Sequence, residues 1–391
     1  MKKYMADLKH IDFMQKQLLV RTIPMVLVVL VLLALAIRIN QPAEDEVATQ
    51  ASQVPYARAQ VTAVLEDNAQ HDYDTAEGRR VGSQVLELKI LSGDHKNEIM
   101  TTTNYLSALY NVDAKQGDQL IVRILTDEDG TYYASVYNYN RGLVMGAFLL
   151  LFFLLLGILG GRKGIGALLG LLFTLACIWF ILIPCIIRGW PAILMTILIT
   201  GLTVAGALVL LNGYSRKTLA ALLGCFGGVL AAGLIAAVVG WLTPMNGFNM
   251  SEAENLLLYG ADKGLKVSGL MVCGVLISAM GAVMDVALGI ASSVWELSEQ
   301  NPSASQHVLF QSGMHIGRDA MGTMANTLIL AFAGASLNTL ILVQTYDIPF
   351  LQLINTDYLC LEVIQSVAGS VGILLTVPLV ALISSRLMAR R

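Results

Sequence analysis

Seven apolar spans, at 142–160, 164–187, 191–211, 218–242, 266–290, 322–345 and 358–382, fill nearly all of the chain from residue 142 onward. Each is long enough to cross a hydrocarbon layer of about 30 Å as a helix. A water-soluble core has no room for so many. An eighth span, 22–39, follows a basic tail holding Lys2, Lys3, Lys9, Lys16 and Arg21. It is too long for a signal-peptide core, and no small-x-small cleavage site follows it cleanly. It therefore reads as an uncleaved anchor with its amino end in the cytoplasm. The expected fold is a membrane all-α bundle of eight transmembrane helices, and a chain 55% hydrophobic and 14% charged agrees with that class.

The net charge of −3 conceals a division. Residues 41–140 hold 16 acidic and 7 basic residues, leaving 12 acidic and 18 basic elsewhere. Within this acidic stretch the pattern turns β-like, with runs at 56–65, 84–93, 97–102, 119–126 and 131–139 separated by SGDHKN, QGDQ and DEDG turns. Five short strands predict a small OB-like all-β domain between the first and second helices. The division expected is a tail and anchor at 1–40, a linker at 41–54, a β domain at 55–141 and a seven-helix body at 142–391. OB-like barrels often bind nucleic acid, yet this segment lacks the basic footprint, so no nucleic-acid partner is expected. Tyr132, Tyr133, Tyr137 and Tyr139 offer a binding face, although strand packing is the commoner use of such residues.

Topology follows from charge. Alternating the spans from a cytoplasmic amino end places Arg162, Lys163, Arg216, Lys217, Arg318, Arg386, Arg390 and Arg391 on the cytoplasmic side with the first tail. Both termini are then cytoplasmic and the β domain extracytoplasmic. The loop at 243–265 falls outside, as a short amphipathic lid or plain connection.

The spans carrying polar groups are the last three. In the first of them Gly274, Ser278, Gly281, Asp285, Gly289, Ser292 and Glu296 recur at steps of three or four, one face of a helix. Such a stripe reads as a packing face or a pathway. An ionisable group within a span costs about 2.5–3.5 kcal/mol on insertion scales, so Asp285 is a functional candidate by default. Thr323, Thr327, Ala331, Gly334 and Asn338 share a face of the next span, with Asn326 beside it. Glu362, Ser366, Gly369 and Ser370 share one in the last, where Glu362 is expected near the outer interface. The candidate ion or proton pathway comprises Asp285, Asn326, Ser278, Thr323, Thr327, Asn338 and Glu362. Glu296 and Glu299 are expected to be solvated.

No catalytic, cofactor or metal set is expected. His315 and Asp319 are four apart, but two ligands make no metal site, and Asp319 reads as a group near a helix start. All five cysteines lie in or beside apolar spans, so no disulfide framework is implied. The chain has no nucleotide-binding motif, no GxSG serine motif and no HExxH metal motif.

The runs GAVMDVALGIASSVWEL at 281–297 and GRDAMGTMANTLILAFAGAS at 317–336 resemble the YibE/F-like family of bacterial membrane proteins. The order of parts is similar too: an anchor, a small outside domain with KILSG at 89–93 and a glycine-aspartate turn leading to Val122, then a seven-span body. The resemblance implies residence in the bacterial cytoplasmic membrane. Because some members are encoded as pairs, it also implies a paired or homologous membrane subunit as partner. A second likeness, of topology alone, is to the SecD/SecF and RND-type permeases. There a helix bearing an intramembrane aspartate runs inward into an amphipathic stretch and is followed by two final spans. This chain has two additional spans and a much smaller soluble domain than the efflux pumps, so energy coupling is implied only by analogy.

The leading expectation is a secondary transporter or permease, proton- or cation-coupled, with a polar pathway in helices six to eight. The alternative is a non-transporting scaffold or envelope-assembly protein whose β domain binds a partner.

Overall fold

In the acidic segment, alternation of apolar and polar residues builds an antiparallel sheet. In the computed structural model, which describes residues 34, 36–40, 54–126, 131–260, 264–346 and 348–389, six strands form there. They are β1 (Tyr56–Asp67), β2 (Gln70–Asp72), β3 (Arg79–Ile90), β4 (Ile99–Leu106), β5 (Gln119–Thr126) and β6 (Tyr132–Tyr139). The order is β2-β3-β1-β5-β6, with β4 paired to β3, and every pairing is antiparallel. The five expected strands are present, and the short β2 adds to them. Alternate residues Ala57, Ala59, Val61, Leu86, Leu88, Ile90, Leu120, Val122 and Ile124 make the core, as period-2 side chains must when a sheet buries one face. Of the linker expected at 41–54, all but Val54 lies outside the described residues.

One end of that core is polar and fully bonded. Gln84, 1% exposed, donates to Asp113 Oδ1 at 3.1 Å and the Ala114 carbonyl at 3.2 Å. Its Oε1 accepts from the Ala114 amide at 3.1 Å and Asn104 Nδ2 at 3.3 Å. Arg80 spans Asp67 and Asp113. The Arg80 guanidinium holds the Asp67 carboxyl below the usual carboxylate range.

The remaining described elements are helical: α1 (Gly142–Gly161), α2 (Lys163–Ile187), α3 (Ala192–Asn212), α4 (Arg216–Leu242), α5 (Ala253–Gly260), α6 (Leu270–Gln300), α7 (Gln306–Ala335), α8 (Leu337–Thr345), α9 (Phe350–Leu353) and α10 (Asp357–Met388). Six of them are long and apolar enough to cross a membrane. The α7–α8 pair, bent by 62°, makes up to seven. The anchor expected at 22–39 lies mostly outside the described residues. The chain divides into two compact units, Pro42–Leu155, and Met1–Gln41 with Leu156–Arg391.

Between α1 and α2 the chain turns at Gly161, whose φ of 53° and ψ of −135° only glycine adopts without strain. In α2 a π-helical turn, Ile178–Leu182, precedes Pro184. Proline supplies no N–H to the carbonyl four residues back. That carbonyl, on Phe180, instead accepts from Asn40 Nδ2 at 2.8 Å. Ile39 packs beside it with Cys177, Ile181 and Cys185.

The body is held by close antiparallel crossings that glycine permits. A Cβ on Gly228 would overlap Thr376 Oγ1, one on Gly224 would overlap Val380, and one on Gly317 would overlap Val377. These contacts bring α10 against α4 and α7, and α6 packs on α4, α7 and α10. Apolar helices gain little from burial in lipid, so close approach of small residues supplies the attraction. Pro378 leaves α10 a single helix over Asp357–Met388.

Two expectations change here. The expected span at 322–345 starts too late, because α7 begins at Gln306 behind Ser305, whose Oγ accepts from the Val308 amide at 3.4 Å. Asp319 therefore lies inside a helix and is not near its start. The break at Ser336 also puts Asn338 on α8, so it does not continue the Thr323–Thr327 face. Outside the helices, the 243–265 loop forms a 3-10 turn, Gly247–Asn249, and α5, and Asn249 Nδ2 donates to Asp357 Oδ2 at 2.8 Å.

Candidate functional site

Helix α6 has two unlike faces. Val272, Val275, Leu276, Ala279, Val283, Val286, Ala287, Ile290, Ala291 and Val294 are buried in the main core. On the opposite face Gly281, Asp285, Gly289 and Glu296 are exposed, and Gly274, Ser278 and Ser292 are half-buried. Large and β-branched side chains fill the bundle, and the small and polar ones are left over. At the centre of the stripe no packing is seen among the described residues: a Cβ on Gly281 or Gly289 would meet no described atom within 4 Å, whereas one on Gly274 would meet Gln365 Nε2 at 3.5 Å.

Asp285 stands in the middle of this open face and makes no hydrogen bond or ion pair among the described residues. Ser278 Oγ is turned back on the Val275 carbonyl at 3.2 Å. Toward the carboxyl end of α6 the same face meets a cavity of about 430 Å³. Lys163, Asn212, Lys217, Ser292, Trp295, Glu296 and Glu299 line it with Leu211 and Leu288. Asn212 Nδ2 is buried there without a hydrogen-bond partner. Ser292 is seven residues from Asp285, so about 10 Å of helix separates the carboxylate from the cavity wall. The cavity gathers two lysines, two glutamates and an unused amide donor. It can solvate or transiently hold a small charged species.

The other candidates do not join this cavity. Thr323, Asn326 and Thr327 are on the exposed side of α7, and Thr327 Oγ1 donates to the Thr323 carbonyl at 2.8 Å. Asn338 is exposed on α8. Glu362 lies in a second cavity, of about 140 Å³, lined by α7, α8 and α10, and its Oε2 is buried with no partner. Ser366, Gly369 and Ser370 are buried against the bundle, with Ser370 Oγ donating to the Ala325 carbonyl at 3.4 Å.

Lys163, Asn212 and Lys217, which come from three helices, were not among the candidates, whereas Glu296 and Glu299 are exposed, as expected, and also line the cavity. The signal for part of the cavity was present, since Ser292 and Glu296 fall seven and eleven residues after Asp285 on one face. No group of three or more His, Cys, Asp or Glu residues able to hold a metal ion is found among the described residues.

A small β domain followed by a bundle of long apolar helices defines a multi-pass membrane protein. The YibE/F-like protein family matches over residues 148–390, and the YibE/F family N-terminal domain over residues 55–139. The chain belongs to the YibE/F-like family. No curated protein and no solved structure matches it.

Proposed function

We propose that the protein is a secondary transporter or permease in which a proton or small cation moves along the open polar face of α6, with Asp285 as the binding group. The observation that carries this reading is the continuity of the unpacked face with the charged cavity at its end. A carboxylate left to lipid is costly, so its side of α6 calls for water or a polar partner. A paired membrane subunit that closes this side is part of the reading.

The orientation follows from charge. Lys163, Arg216, Lys217 and Arg386 lie at the end where α2 and α4 begin and α6 and α10 finish, which supports a cytoplasmic position for that end by the positive-inside rule. The membrane is the bacterial cytoplasmic membrane, with eight helices once the anchor is counted. The outside domain is an OB-like barrel. Supporting this are the order β4-β3-β1-β5-β6 and the approach of β4 to β6 that begins to close it.

The test is flux. Proteoliposomes holding the wild-type chain should dissipate an imposed proton or sodium gradient, and Asp285→Asn should abolish this while leaving the protein folded. A variant with full flux removes Asp285 from the pathway.

The second reading is a scaffold that acts through the β domain, and it has its own support. Tyr56 and Tyr137 are half-exposed, meet edge-on at 5.2 Å and share the guanidinium of Arg123 at 5.6 and 4.9 Å from their ring centroids. Rigid aromatic and arginine groups of this kind anchor protein contacts. Loss of the cellular phenotype in a Tyr56→Ala, Tyr137→Ala chain, with Asp285→Asn silent, favours the scaffold over the transporter.

A further inference from the structure

The basic residues of the β domain gather on one face of its sheet. Residues 41–140 hold 16 acidic and 7 basic residues, and three of the basic ones, Arg58, Lys89 and Arg123, share this face. Ala57, Ala59, Leu88, Ile90, Val122 and Ile124 point into the core. The alternate positions Tyr56, Arg58, Lys89 and Arg123 therefore point outward, and all four are exposed. Register sets their spacing, because Arg123 pairs with Tyr56, Ile121 with Arg58, and Lys89 with Gln60. Arg123, Arg58 and Lys89 thus fall on one diagonal across β5, β1 and β3, at steps of about 7–8 Å.

None of the three is in an ion pair among the described residues; the pairs seen there use Arg80 and His95 instead. Glu87, two residues before Lys89 on the same face, is turned onto Thr62, whose Oγ1 donates to its Oε1 at 2.6 Å. Arg123 is held in place by stacking, with its guanidinium 5.6 and 4.9 Å from the ring centroids of Tyr56 and Tyr137. Stacking uses the flat face of a guanidinium and leaves its N–H edge, the side that grips a carboxylate with two parallel bonds.

The surroundings narrow the choice of partner. A long polyanion, whether nucleic acid or acidic glycan, would run off this diagonal onto a domain whose charge is otherwise negative. A sugar ring stacks on an open aromatic face, and Tyr56 and Tyr137 each turn a face to Arg123. An extended peptide presents alternate side chains on one side about 6.4–6.8 Å apart, close to the step of the diagonal.

We infer that this diagonal is a docking site for an acidic segment of a partner protein, bound in extended form with carboxylates at alternate positions facing Arg123, Arg58 and Lys89. The assignment rests on reading Tyr56, Tyr137 and Arg123 as a protein-contact group and adds the chemistry of the partner.

The probe is a fluorescent peptide of alternating glutamate and threonine, titrated with the full-length protein in phosphatidylcholine nanodiscs and followed by anisotropy. Saturable binding is expected, at least tenfold weaker when glutamine replaces glutamate in the peptide, and weakened by added salt as exposed charges are screened. Arg123→Gln should weaken it about tenfold, and Arg123→Lys nearly as much, because lysine keeps the charge and loses the two-bonded edge. Arg58→Gln combined with Lys89→Gln should weaken it comparably with the aromatic group intact, and this variant decides the question where the Arg123 variants fail to fold. Absence of saturable binding, equal affinity for the glutamine peptide, or unchanged affinity in the folded charge variants overturns the site. Tighter binding of an oligogalacturonate than of the peptide makes the partner a glycan and overturns the peptide assignment. A chain that does not bind the peptide, yet loses its cellular phenotype in Tyr56→Ala, Tyr137→Ala, keeps the scaffold reading and loses the acidic partner. One that binds the peptide while that double variant is silent keeps the site and loses the scaffold reading.

Discussion

At the scale of single residues, the groups that matter most are those whose bonding the chain does not complete for itself, and those where it does so from far away. Phe180 is of the second kind: its carbonyl, freed by Pro184, is satisfied by Asn40, 140 positions away in sequence. Removing that donor in Asn40→Ala should cost about 1 kcal/mol, read as a lower melting temperature in detergent. Pro184→Ala should make the donor dispensable, so that a double variant melts no lower than Pro184→Ala alone. Gln84 is bonded throughout, and replacing it by leucine strands several buried partners. A loss of about 3 kcal/mol in the β domain is expected, visible as faster hydrogen exchange along β3. Asp67 gives the pH dependence. Its carboxyl is held below its ordinary value chiefly by the bond from Arg80, so its contribution is present above about pH 4 and is lost as pH falls through the lowered value. With Asp67 36% exposed, solvent limits that contribution to about 1 kcal/mol. Exchange in β3, corrected for its intrinsic rate, should accelerate on acidification in the wild type and far less in Asp67→Asn.

Between elements, the helices are set by what glycine allows. Gly228→Val drives a side chain into Thr376, and separating α4 from α10 should cost about 1–3 kcal/mol; Gly281→Val, on the open face of α6, should cost little. Comparing the two melting temperatures checks that the centre of the face carries no close packing. The positions of the long helices were legible in the sequence because each is an unbroken apolar run, and the β-strands because their alternation is regular. The start of α7 was not legible, since 306–321 is polar enough to pass for a linker while its helical register is fixed by α6 and α10 through Gly313 and Gly317. Nor was the break at Ser336, where no proline marks it. Asp285 was legible as the costly residue on a polar stripe. Which side of α6 would be buried was not, because small residues serve close packing and open surfaces equally well. The pocket of Glu362 escaped for the same reason that the cavity at the end of α6 did: each is assembled from several helices.

In the whole molecule a β domain with an exposed aromatic group accompanies a helical body whose charged end and open polar face lie along one helix. A pathway there requires that this face be wet. A cysteine at position 285 reports this directly, since a thiol reacts with charged methanethiosulfonates only as a thiolate, and thiolates form in water. The measurement is the labelling rate of Asp285→Cys in membranes, in a chain whose five native cysteines are replaced by alanine. Labelling by the charged reagent is expected, slowed when the cavity is narrowed by Ser292→Trp. A thiol that resists the charged reagent yet reacts with a lipid-soluble maleimide would contradict it.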